Sequence, residues 1–141
     1  MQGVIGEQRT LATDAIAAGR LFVLPQGKAL LPFTERLRDE QGVPFLALLT
    51  AEAGELPENL RQVCGRLSER GRLAYVEAEL FGGAGAQAGA VWEAGNLIQA
   101  PFVEQHAINR ALRFLGVQAA SGKDEFDSLR LGAHRDIDDW V

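Results

Sequence analysis

The sequence predicts an α+β fold, a single domain on a mostly antiparallel sheet of about five or six strands with three main helices. Three observations carry that expectation. The chain has 141 residues, the length of one domain with one core. Its composition, 47% apolar and 23% charged, is that of a soluble globular domain and not of a disordered one. Helical and strand patterns do not alternate one by one, which argues against a doubly wound parallel sheet.

Taken in order, Thr10 to Ala18 spaces Leu11, Ala12, Ala15, Ile16 and Ala18 as a short amphipathic helix, with Gly19 as its stop. Leu21 to Leu24 and Ala29 to Phe33 are apolar runs around Pro25-Gln26-Gly27-Lys28, the pattern of a hairpin. Thr34 to Gly42 is polar and reads as a turn or two of helix between a Thr34 cap and a Gly42 end. Val43 to Thr50 is apolar and reads as a buried strand, followed by loop from Ala51 to Leu56. Pro57 to Arg70 gives the clearest helix, with Leu60, Val63, Cys64 and Leu67 in one stripe and Gly71 beyond.

Leu73 to Phe81 alternates. Ala74, Val76, Ala78 and Leu80 share one side; Leu73, Tyr75, Glu77, Glu79 and Phe81 share the other, which predicts a strand with one wet face. Gln87 to Ala94 is a further strand, Gly95-Asn96 a turn, and Leu97 to Pro101 the strand that follows. Glu104 to Leu115 is a helix ended by Gly116, and Asp124 to Leu129 a short one inside a polar, acidic segment, residues 121–141.

Between the two alternating strands, Gly83-Ala84-Gly85-Ala86-Gln87-Ala88 can be written G-x-G-x-x-A. A dinucleotide turn of that form follows a strand apolar on both faces and opens a long helix. Here the preceding strand alternates, and only about nine residues separate the loop from Gly95-Asn96, too few for a crossover helix. The stretch therefore reads as a hairpin connection. No Gly-Lys-Ser/Thr ends it, so a P-loop is excluded too. "HRD" at His134-Arg135-Asp136 lacks the Gly-rich loop and downstream Asn of a kinase.

The net charge of −5 and scattered basic residues argue against nucleic acid as partner. One cysteine, Cys64, excludes an internal disulfide and a Cys-based zinc site and reads as a core residue. The N-terminus has neither a basic nor an apolar targeting region, and no apolar run reaches membrane-spanning length; cytoplasmic localisation is expected. No metal or cofactor is expected, because the histidines and acids form no ligand-spaced set.

The candidate residues are therefore those of a partner-binding surface, with no catalytic set. Tyr75, Glu77, Glu79 and Phe81 place aromatics and carboxylates on one strand face, the two glutamates roughly 7 Å apart by strand rise. Trp92 lies on the next strand. Six acids against three bases from Lys123 to Val141 put −3 of the total −5 in the tail, where Asp136, Asp138, Asp139 and Trp140 are candidates. Aromatics of this kind supply contact energy, and carboxylates speed encounter with a basic partner.

The stretches "AYVEAELFGGAGAQAGAVWEAG", "INRALRFLGV" and "DEFDSLRLGAHRDIDDW" together resemble small bacterial immunity proteins of toxin–immunity pairs, over roughly residues 73 to 140. The resemblance implies a small acidic cytosolic protein that neutralises a cognate, basic toxin by occluding its active site. Two other classes compete: a small enzyme or ligand-binding domain using Glu77, Glu79 and His134, and a structural homodimer formed through a sheet edge or the glycine hairpin.

Overall fold

The computed structural model describes residues 1–52, 55–79 and 86–134. Its six strands are β1 (Gln2–Glu7), β2 (Phe22–Val23), β3 (Lys28–Pro32), β4 (Leu73–Ala78), β5 (Gln87–Glu93) and β6 (Asn96–Val103). They form one sheet in the order β2-β3-β1-β4-β5-β6, and every neighbouring pair is antiparallel. Five α-helices accompany the sheet: α1 (Gln8–Leu11), α2 (Glu35–Gln41), α3 (Glu58–Leu67), α4 (Ala107–Phe114) and α5 (Glu125–Ser128). Three of the five have seven or more residues, so the α+β class holds. A 3-10 turn, Leu131–His134, follows α5.

The order divides the sheet into two local units. β2, β3 and β1 form one, and the meander β4-β5-β6 forms the other. They meet only where β1 pairs with β4, from Gln2 opposite Glu77 to Gly6 opposite Leu73. Both faces are covered. On one, α3 presents Leu60, Val63, Cys64 and Leu67 to Val4, Leu73, Tyr75, Ala90 and Trp92, together with Leu37 of α2 and Leu48. On the other, α4 presents Ile108, Ala111 and Leu112 to Ile5, Leu30, Ala74, Val76 and Ala78, with Leu129 and Leu131 closing the layer.

Local signals explain much of this. Thr34 caps α2 by accepting from the Leu37 N–H, and Gly42 ends it at φ 68°. Asp124 caps α5 by accepting from the Asp127 N–H. Gln26 and Gly27 both adopt positive φ, 63° and 71°, as a tight turn between β2 and β3 requires. Ala94 and Gly95 do the same between β5 and β6, at 51° and 81°. The turn therefore sits one residue earlier than Gly95-Asn96, and Asn96 opens β6.

Two expectations are corrected, and one strand, β1, is found where none was expected. Helix 10–18 is instead the single turn α1 followed by irregular turns, because the Asp14 carboxylate takes the Ile16 N–H and draws the backbone out of helix. Residues 43–50 are turns, not a strand; Pro44 carries no N–H, and side chains below satisfy those of Leu46, Leu48 and Leu49. β1 is a central strand in a stretch with few apolar residues. Among the described residues no helix is long and apolar enough to cross a membrane.

Candidate functional site

The alternation of β4 divides its side chains as expected, but neither side is wet. Leu73 and Tyr75 enter the α3-side core, while Ala74, Val76 and Ala78 enter the α4-side core. Tyr75, Glu77 and Trp92 are fully buried and so cannot meet a partner at the surface. Two-residue periodicity reports which side chains share a face; it does not report what covers that face. Glu79, one step beyond β4, is exposed. Phe81, Asp136, Asp138, Asp139 and Trp140 lie outside the described residues.

Glu77 instead sits at the centre of a buried polar network that joins the sheet to residues 44–49. Its carboxylate accepts from the Leu48 N–H at 2.8 Å, from the Leu49 N–H at 2.9 Å and from the Tyr75 hydroxyl. The Gln2 amide donates to the Tyr75 hydroxyl at 2.8 Å and to the Pro44 carbonyl at 3.0 Å, and accepts from the Leu46 N–H at 3.2 Å. Leu46 is held at φ 47°, a left-handed conformation that costs a non-glycine residue energy and persists where its surroundings enforce it. Two side chains from the central strands thus replace a ladder partner for this segment. With its lone pairs engaged and no surface in contact with solvent, Glu77 holds the loop and meets no substrate.

Burial pushes the Glu77 carboxyl above its ordinary value, against the opposing pull of the Tyr75 hydroxyl and the Leu48 and Leu49 N–H groups. The folded state therefore keeps its proton to higher pH than the unfolded chain, whose carboxyl titrates near 4.5. Stability from this group is fully present below that value and is lost as pH rises through the folded one. Glu77→Gln does not titrate. The gap in urea midpoint between wild type and Glu77→Gln is expected to be wider at pH 5 than at pH 7. A gap that narrows on acidification would show that the donors outweigh desolvation. Burial likewise raises the Cys64 thiol well above its usual range, with Glu77 adding to the effect, so Cys64 is a protonated core side chain.

Exposed large apolar side chains lie at Val23 on one outer strand, β2, at Phe45 in the 43–50 segment, and in a group of three on the other outer strand, β6. Val103 is 61% exposed, and Leu97 and Ile98 are exposed as well. Leu97 pairs with Trp92 and Val103 with Ala88, so both project on the α3 side, beyond the margin of the core. Phe102 turns the other way. It pairs with Gly89, whose missing Cβ would lie 2.9 Å from the ring, and the Arg110 guanidinium stacks 4.2 Å above it. Glu79 and Glu104 stand at the Val103 end: the Glu79 N–H bonds to Ala86, and the Glu104 N–H bonds to Gln87.

β6 is also irregular. Its register skips Ile98 between Leu97 and Gln99, and sets Ala100 and Pro101 against Ala90 alone. Two bulges and a proline without an N–H prevent a regular ladder on the free edge. This strand offers side chains more readily than backbone. The sequence marks the strand, but its edge position follows from strand order, which no local pattern encodes.

Among the described residues no group of three His, Cys, Asp or Glu side chains comes together as a metal site would require. Compared with known proteins, the chain matches no family model, no curated protein and no solved structure.

Proposed function

We propose that the chain is a non-catalytic binding protein that neutralises a cognate bacterial toxin by covering its active site, and that the β6 margin is the surface it uses. The observation that carries this reading is the exposed set Leu97, Ile98 and Val103 on an edge strand whose bulges leave side chains, not hydrogen-bonding groups, to be recognised. Apolar anchors of this kind supply most of the binding energy once a partner seals them from water. Glu79 at one end of the patch, on a chain of net charge −5, suits a basic partner and speeds its approach, while Glu104 beside it pairs with Arg110 at 3.3 Å. The bulges and Pro101 disfavour pairing of two copies through the same edge.

Co-expression with the product of an adjacent gene, as the candidate toxin, is the test. Wild-type protein is expected to restore growth and to co-purify with the toxin. Val103→Asp is expected to weaken the complex about thirtyfold, the size of a hot-spot loss of roughly 2 kcal/mol, without changing the melting temperature. Absence of protection by the wild type rejects the toxin reading. Protection with an unimpaired Val103→Asp, Leu97→Asp double variant rejects the β6 surface.

A further inference from the structure

A cavity of about 440 Å³ lies at one end of the central strands β1, β3 and β4, lined by Glu7, Lys28, Arg72, Arg113, Phe114, Leu115 and Gly116. Three cations and one carboxylate meet there, in a chain whose acids outnumber its bases. The sheet and α4 build the wall: Glu7 ends β1, Lys28 opens β3, Arg72 precedes β4, and residues 113–116 close α4. Its volume falls in the range of small-molecule sites.

Each of the three cations already has a carboxylate partner, but the donors of the two arginines are only partly used. Lys28, almost fully buried, is held by Glu7 at 2.7 Å. Arg72 donates to the Phe114 carbonyl at 2.8 Å and to Glu93 at 3.2 Å, which satisfies the end of α4. Arg113 pairs with Glu125 at 3.3 Å. Glu93 and Glu125 are not part of the cavity wall, so they draw on the two guanidinium groups from outside it. A guanidinium carries five N–H donors; Arg72 spends two and Arg113 one, which leaves donors for a ligand. Phe114 and Leu115, both half-buried, add apolar wall beside these donors.

We propose that this cavity binds a small organic anion, a carboxylate or phosphate on an apolar body, held by Arg72 and Arg113 above Lys28 with its body against Phe114 and Leu115. Planar guanidinium groups match the oxygens of such anions in paired hydrogen bonds. The site is separate from the β6 margin and does not depend on the toxin reading.

Titration of the full-length, isotope-labelled protein with phenyl phosphate, benzoate, inorganic phosphate and tetramethylammonium, followed by amide shifts, tests it. Saturable shifts at Arg72 and residues 113–116 are expected with phenyl phosphate or benzoate, at lower concentration than with inorganic phosphate, and none with the cation. The organic anion that binds more tightly identifies the head group. Arg113→Gln is expected to weaken binding about tenfold, with a small drop in melting temperature from the loss of its pairing with Glu125. Arg113→Glu should abolish it. Shifts that fail to saturate at tens of millimolar, that persist in both variants, or that are as strong with inorganic phosphate overturn the proposal.

Discussion

Replacing Glu77 with alanine is expected to remove roughly 3–5 kcal/mol of folding stability, a large share of the margin of a domain this size. The substitution strips the acceptor from the Leu48 and Leu49 N–H groups and from the Tyr75 hydroxyl, all at one buried point. A buried donor left without a partner costs about 1–3 kcal/mol, and relief of the carboxylate's own desolvation offsets part of the sum. Urea unfolding should show a lower midpoint. Glu77→Gln, which keeps one acceptor oxygen and the side-chain volume, should lose less. A loss below about 1 kcal/mol for the alanine variant would mean that water replaces the carboxylate freely and that the network does not hold residues 44–49.

The second large effect is expected at Gly3, in the middle of the sheet. A Cβ there would lie 2.6 Å from the Leu31 carbonyl oxygen and 3.0 Å from Leu30 Cδ1. The first of these is backbone of the paired strand and cannot turn aside as a side chain would. Gly3→Ala must therefore spread β1 from β3, at a cost of about 2–3 kcal/mol. Gly6, on the same strand, is the control. Its Cβ would meet the Arg72 carbonyl oxygen at 3.4 Å, close to ordinary contact, and Gly6→Ala should cost under about 1 kcal/mol. Equal losses in thermal or urea unfolding would show that close strand approach is not what selects glycine at position 3.

How far the sequence reveals this fold depends on where each signal resides. α3 is legible because its apolar stripe, Leu60, Val63, Cys64 and Leu67, lies within one element and is buried as its spacing implies. The caps Thr34, Gly42 and Asp124 are legible for the same reason. β1 is not: Gln2-Gly3-Val4-Ile5-Gly6-Glu7 offers two apolar side chains, and its strand character comes from partners on both sides. Residues 43–50 mislead because an apolar run signals burial but not conformation; Gln2 and Glu77, distant in sequence, decide the latter. The candidate site divides in the same way. Glu79 is exposed as its strand pattern implies, whereas Tyr75, Glu77 and Trp92 are buried by layers that only the tertiary structure supplies. The β6 margin and the cationic cavity each collect residues through strand order.

The joint between the two halves of the sheet bears on how the chain is made. β2, β3 and β1 can assemble once residue 33 has been synthesised, but β4 is complete only at Ala78. At ribosomal speeds of about 5–20 residues per second, the growing chain carries an uncovered β1 edge for roughly two to nine seconds. During that interval Val4, Ile5 and the donors of the central strand depend on chaperones, or on their own brevity, to avoid strangers. Production yield at elevated temperature is expected to fall with this waiting time as well as with the stability of the finished molecule.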